Sequence, residues 1–388
     1  MPPPPQANLG ARRIDELEGL RGLLALWVVV SHIVCLCGLD MHRPALVPRS
    51  IWEWLVYAGT AVNVFVILSG FAIFKMLRST PPGYRAFVTG RAFRLFPVYL
   101  TCLALSLALI SASGFVSTTA PWHATDYFQR WSADLANVRA HWPVQLALQL
   151  PLLHGLAPPG WPPPQGISDV LPPAWSATLE WQFYLVAPAL LSFGPRRRSG
   201  RFLAWLLALA VVAALVFAAS GVTYGGFIGL KLWLFVVGMI SAFLHGTYEA
   251  STPAKPRWWW LSGFALAAFL TYVFHDPAPL LWLAAFAAIF VSHQPLAAVG
   301  SWLLTRRPLL WLGRISYSLY LLHWPLLVGG LALVLRLAPG LQGTVAAGWL
   351  VVAGLPLILG LAGRLHVWVE APLMRYGRKL AGRTVRVG

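Results

Sequence analysis

The sequence predicts an all-α integral membrane protein of about ten transmembrane helices with both termini cytoplasmic, and three observations predict it. Of its 388 residues, 58% are hydrophobic and 11% charged, a balance too apolar for a water-soluble domain. Ten apolar runs are long enough to cross a bilayer. When those runs are threaded back and forth, 22 of the 29 Lys and Arg residues fall on one side, which makes that side the cytoplasm. A net charge of +17 would suggest nucleic acid in a soluble chain; here the basic residues sit in clusters between apolar runs, so no nucleic-acid partner is expected.

Taken in order, the runs lie near 20–38, 52–74, 95–113, 172–193, 202–219, 227–246, 259–275, 279–294, 310–334 and 343–366. Residues 1–19 form a cytoplasmic tail, 20–366 a single transmembrane domain and 367–388 a basic cytoplasmic tail. The start, MPPPPQANLGARR, offers no small-residue cleavage site, so the first span is expected to be retained. The one long outer loop, 114–171, carries Trp122, Trp131, Trp142, Trp161 and the stretch PPGWPPPQG. Its apolar piece 143–155 re-enters the bilayer or lies on its surface, and its tryptophans suit an interfacial belt better than sugar stacking. Cys35, Cys37 and Cys102 lack metal-ligand spacing and are assigned to packing; no metal is expected.

Four stretches carry the ionisable residues. In LEGLRGLLALWVVVSHI, Leu17 to Ile33, eleven helical steps bring His32 back onto the face of Arg21, roughly 16 Å deeper. Alone, Arg21 is as well read as a snorkelling anchor, whereas for His32 hydrogen bonding between helices is the weaker alternative; ionisable groups at depth are functional candidates. GTAVNVFVILSGF is followed by FVTGRAFRLFPVY, where Arg91 and Arg94 stand one turn apart and can present two guanidinium forks to one phosphate. Ser69 and Gly70 read as a close helix approach. In WSATLEWQFYLVAP, Ser176, Glu180 and Tyr184 recur every four residues as one polar stripe, with Glu180 placed at the level of His32 and Lys231 as its candidate partner. In LGRISYSLYLLHWP, Ser316, Tyr320 and His323 share a face, with Arg314 at the inner mouth. Glu370 caps or pairs with nearby arginines just past the last span.

These residues sort into two layers. Arg21, Arg91, Arg94 and Arg314 ring the inner mouth, while His32, Glu180, Lys231 and His323 occupy the outer half. Acyl-coenzyme A matches both if one continuous tunnel joins the two layers, with phosphates for the arginines and a thioester within reach of a histidine base at the far end.

Together the four stretches resemble acyltransferase family 3 of multi-pass membrane proteins, from about Asp15 to Glu370. The family's arginine, ten residues, histidine appears as Arg21 and His32, and its arginine pair as Arg91 and Arg94. Its W-S-x-x-x-E-x-x-F-Y-L-x-x-P matches Trp175 to Pro188, and its S-Y-S-L-Y-L-x-H-x-P matches Ser316 to Pro325. Glu18 stands where an aspartate is common and Asn63 where many members carry an acid.

The resemblance implies a bacterial inner-membrane enzyme that moves an acyl group, usually acetyl, from coenzyme A to a carbohydrate-type hydroxyl. On this reading His32 is the general base, Glu180 and His323 assist it, and Arg21, Arg91, Arg94 and Arg314 hold coenzyme A. Ser176, Tyr184, Lys231, Ser316 and Tyr320 orient substrate. No permanently bound cofactor is implied; the partners are the bilayer, acyl-coenzyme A and the acceptor, with a separate periplasmic chain or a homodimer left open. No lipase-like extracellular domain is expected after the last helix. The rival is a proton-coupled transporter or flippase of a glycan or glycoside, against which stands the lack of repeat symmetry between halves. A membrane scaffold would explain the Trp-rich loop but not the buried ionisable layer.

Overall fold

The computed structural model describes residues 15–79, 82–157, 170–192, 200–220, 225–249, 258–290 and 295–384, and among them there are helices and turns but no strand. Trp161 with PPGWPPPQG, and the arginines at 12, 13, 196, 197, 198, 257 and 386 with Lys255, lie outside the described residues.

Each of the ten apolar runs contains a helix, because a backbone in hydrocarbon must satisfy its own hydrogen bonds. They are α1 (Asp15–Leu36), α3 (Gly59–Ser79), α4 (Tyr84–Ala108), α8 (Ala174–Ser192), α9 (Gly200–Ser220), α10 (Ile228–Glu249), α11 (Trp258–Phe274), α12 (Ala278–Phe290), α14 (Arg307–Leu337) and a last, continuous helix. That last helix comprises α15 (Gly343–Trp349), α16 (Leu355–Leu365) and α17 (Ala371–Thr384), joined by π turns at Leu350–Gly354 and His366–Glu370. Between these lie α2 (Arg49–Val56), α5 (Ile110–Thr119), α6 (Asp126–Ala140), α7 (Trp142–Gln149) and α13 (Pro295–Leu304). Among the described residues, six helices are long and apolar enough to cross a membrane: Asp15–Leu36, Gly59–Arg78, Tyr84–Ala108, Ile228–His245, Arg307–Leu337 and Gly343–Gly382.

Three expected boundaries change. The run 52–74 is two helices, α2 and α3, because the end of α2 is tied to α1: the Ser31 hydroxyl and, at 3.7 Å, the Cys35 thiol both donate to the Val56 carbonyl. The run 95–113 is divided at Leu109 into α4 and α5. The final run does not end near 366; the basic tail continues it as helix α17, which packs on α4 with Tyr376 edge-on to Phe93 at 5.5 Å.

Two helix pairs form the frame, and both rely on glycine for backbone contact. Where α1 crosses α14, a Cβ at Gly22 would strike the Leu309 carbonyl and one at Gly313 would strike the Glu18 carbonyl. Where α3 crosses α10, Gly70 lies against the Phe235 carbonyl and Gly238 against that of Ile67. These pairs pack most extensively of all, and they fix α1, α3 and α14 around the ionisable residues. The segment between α5 and α8 folds over the C-terminal end of α1 and onto α14: the Trp122 indole donates to the Leu36 carbonyl at 2.8 Å, and Trp131 packs edge-on to Trp324 at 5.4 Å. Trp142 stays exposed. All three cysteines are free and buried.

Candidate active site

Two compartments lie between these helices. The first is a cavity of about 210 Å³ bounded by α1, α3, α4, α8, α10 and α14. Its charged end holds Arg21, Arg91 and Arg94 with Glu180 and Tyr184; its other end holds Ser176, Ser316, Phe65 and Tyr320. Helical spacing explains the convergence: Ser176, Glu180 and Tyr184 are one stripe of α8, and Ser316 and Tyr320 one stripe of α14.

Carboxylates balance the arginines. Arg21 lies 3.9 Å from Glu18. Glu180 accepts hydrogen bonds from the Tyr184 hydroxyl and, at 3.3 Å, from Ser69. Arg91 stacks over the Tyr184 ring at 5.3 Å. Glu370, buried in the second π turn, accepts from Ser318 at 2.7 Å and faces His366 Nδ1 at 2.9 Å. Arg94 lies within the electrostatic reach of both Glu180 and Glu370. A buried charge of either sign needs such neighbours.

The second compartment holds two imidazoles. His323 Nε2 lies 3.2 Å from His32 Nδ1, with ring centroids 4.9 Å apart. Trp324 stands edge-on to His32 at 5.3 Å. Carbonyl oxygens only accept, so the partners assign the protons. His323 Nδ1 faces the Leu319 carbonyl at 3.2 Å and therefore carries hydrogen, which leaves its Nε2 as an acceptor. His32 Nδ1 faces the Val28 carbonyl at 2.9 Å and therefore also carries hydrogen, shared with His323 Nε2. The lone pair of neutral His32 is then on Nε2. His323 is completely buried whereas His32 keeps part of its surface open, so only His32 can meet another molecule.

The structure thus joins Arg21, Arg91, Arg94, Ser176, Tyr184, Ser316 and Tyr320 around one cavity and pairs His32 with His323 beside it. Four expectations are corrected. Glu180 belongs with the arginines rather than with His32: the Ser176 hydroxyl meets that of Tyr320, one turn before His323 on α14, and Glu180 lies a further turn toward the arginines. Lys231 is not its partner; α10 sets Lys231 near the turn between α11 and α12, where Asp276 supplies the opposing charge. Asp276 also accepts from Asn63 and, at 2.9 Å, from the Ala278 amide, and burial raises its carboxyl above the usual range. Arg314 is exposed and outside the cavity wall. Finally, the cavity does not extend to the histidines, since neither His32 nor His323 lines it.

Sequence reasoning missed Glu18 as the Arg21 partner, although the i, i+3 spacing signals it. It read Ser69 with Gly70 as a packing pair, whereas only Gly70 makes the close approach and Ser69 reaches Glu180. It placed Glu370 beyond the span; nothing in the sequence signals the π turn that brings this residue inward.

Comparison with known proteins places the chain. It is 24% identical over 351 residues to nodulation protein 10 of Rhizobium leguminosarum bv. viciae, covering 86% of this chain and 87% of that one. It is 27% identical over 320 residues to the membrane-bound transacylase BcsY of Komagataeibacter xylinus, covering 81% and 72%. It is 24% identical over 349 residues to the O-acetyltransferase OatA of Staphylococcus aureus, covering 82% of this chain but only 51% of OatA, about half its length. No solved structure matches. The family model for the acyltransferase domain matches residues 14–363, nearly the whole bundle that holds both compartments, and the chain belongs to that family of membrane acyltransferases.

Proposed function

We propose that this enzyme moves an acyl group, acetyl in the simplest case, from acyl-coenzyme A to a hydroxyl of a carbohydrate-type acceptor. The names of the relatives OatA and BcsY, an O-acetyltransferase and a transacylase, support the reaction class. The observation that carries the reading is the locked histidine pair. His32 Nε2 takes the proton of the acceptor hydroxyl as that oxygen attacks the thioester carbonyl; the carbon–sulfur bond breaks, and the imidazolium returns the proton to the departing thiolate. During the step, the positive charge on His32 is shared through Nδ1–H with the Val28 carbonyl and with His323 Nε2. His323 is therefore a positioning residue, and so is Glu180, which acts through Tyr184 and Ser69.

Arg21, Arg91 and Arg94 hold the donor's phosphates. Multiply charged phosphates compete with Glu18, Glu180 and Glu370 for these forks. The cavity is small beside the about 300–1,000 Å³ of most small-molecule sites, so the donor arm enters by displacing side chains. In this reading the bundle crosses a bacterial inner membrane ten times with both termini cytoplasmic, so the arginine end faces the cytosolic donor.

The test is transfer from radiolabelled acetyl-coenzyme A by membranes carrying native protein or His32→Ala at equal abundance. Loss of general base help lowers transfer by roughly 10²–10⁴-fold. Near-native transfer by folded His32→Ala removes the proposal.

A further inference from the structure

Tyr320 stands between the cavity and the histidine pair. It lines the cavity, and its ring centroid lies 6.2 Å from that of His323, one turn further along α14. Its hydroxyl is held twice, accepting from Ser176 Oγ at 2.8 Å and donating to the Pro173 carbonyl at 3.0 Å. Phe65 stands edge-on to the ring at 6.3 Å. Both hydrogen-bond partners belong to the start of α8 and the residue just before it, so the latch spans two separate elements. Two neutral hydrogen bonds are weak enough for the binding energy of a ligand to open.

We propose that Tyr320 is a partition residue that decides whether the acyl group meets water or the acceptor. Latched, it keeps the arginine-lined cavity apart from His32. When the donor fills the cavity, the phenol swings from Ser176 and Pro173 and the thioester reaches the imidazole. This inference rests on the proposed acyl-coenzyme A reading for its chemistry, but the partition itself is a property of access. In the unlatched enzyme, water replaces the acceptor: His32 takes a proton from water as its oxygen bonds to the thioester carbon, the carbon–sulfur bond breaks, the imidazolium returns the proton to the thiolate, and the products are the free acid and coenzyme A.

Two measurements test it. The first uses purified His32→Cys protein and a small anionic methanethiosulfonate reagent, with peptide mass spectrometry to separate the introduced thiol from the buried Cys35, Cys37 and Cys102. Adding Tyr320→Ala speeds labelling at position 32 tenfold or more, and adding Tyr320→Phe, which keeps the ring and loses both hydrogen bonds, speeds it several-fold. Further addition of Arg94→Glu slows labelling, because the anion enters through the arginine end. Equal rates with and without the Tyr320 changes overturn the partition, as does an acceleration indifferent to Arg94→Glu.

The second measurement compares native protein with Tyr320→Phe for acetyl-coenzyme A hydrolysis without acceptor and for transfer with it. Hydrolysis rises about tenfold relative to transfer. An unchanged ratio, or equal loss of both, overturns the proposal; a merely structural role for Tyr320 would lower both together. Should native protein neither transfer nor hydrolyse acetyl-coenzyme A, the donor reading fails, and the labelling rates alone then decide the partition.

Discussion

The cavity and the histidine pair are neighbours built on opposite electrostatics. Around the cavity, three arginines share the wall with Glu180, while Glu18 and Glu370 lie within their electrostatic reach, and each charge is tolerated because another lies near it. At the histidine pair the near neighbours are carbonyls, a second imidazole and the Trp324 indole, and each imidazole has its tautomer set by a backbone oxygen. The difference teaches a division of labour. A charged, balanced wall suits reversible capture of an anion, which exchanges one set of counter-ions for another. A neutral, hydrogen-bonded imidazole suits proton transfer, since it is already in the protonation state that a base requires.

The largest effect that would break this contrast is at His323. If its Nε2 stabilises the charge that His32 gains, His323→Ala removes a hydrogen bond to a charged group, worth about 1.5–3 kcal/mol. That corresponds to a fall in kcat of roughly 10- to 150-fold, with the donor KM unchanged. His323→Asn, whose side-chain oxygen still accepts, recovers part of the loss. A KM effect at His323 instead would make the two compartments one binding site.

At the other end the split reverses. Arg94→Ala raises the donor KM by about tenfold, as expected for one charge-assisted contact discounted for solvent, and changes kcat less. Arg314→Ala, on an exposed face outside the cavity, leaves both within twofold. Kinetics on acetyl-coenzyme A with a fixed acceptor reads all three. Equal sensitivity of Arg94 and Arg314 would reduce the cavity arginines to membrane-topology anchors.

Much of this was legible in the chain because helices repeat. The stripe Ser176, Glu180, Tyr184 and the stripe Ser316, Tyr320 share faces by spacing alone, and both line the cavity. The apolar runs each hold a helix, for the same reason that hydropathy reads membrane proteins at all. Depth was not legible. Glu180 was set level with His32 by counting from the end of its run, but α8 begins close to Tyr320, so the count started too far out. The partner of Lys231 was hidden because Asp276 comes from a turn between two other helices. The glycine crossing of α1 with α14, which sets the two histidines 3.2 Å apart, depends on the mutual rotation of two helices, which neither sequence fixes by itself.

The smallest expected effect concerns stability in acid and sharpens the contrast between charged and uncharged ends. Between α7 and α8, His154 sits in a short 3₁₀ turn docked on α8, where Gly155 donates to Thr178 at 3.3 Å. Burial pushes its pKa down to about 3, with a backbone hydrogen bond at Ala174 opposing. The unfolded imidazole titrates near 6.5, so between pH 6.5 and 3 the unfolded chain binds a proton that the folded chain refuses. Stability is therefore full above pH 6.5 and falls as pH drops below it, by about 1.4 kcal/mol per unit from this residue. Thermal melts of detergent-solubilised protein at pH 7 and pH 5 should show a loss that is about 2 kcal/mol smaller in His154→Gln than in the native protein. If His154→Gln melts with the native pH slope, the acid sensitivity lies with the paired imidazoles His32 and His323 instead, and the uncharged half of the molecule is the acid-sensitive one.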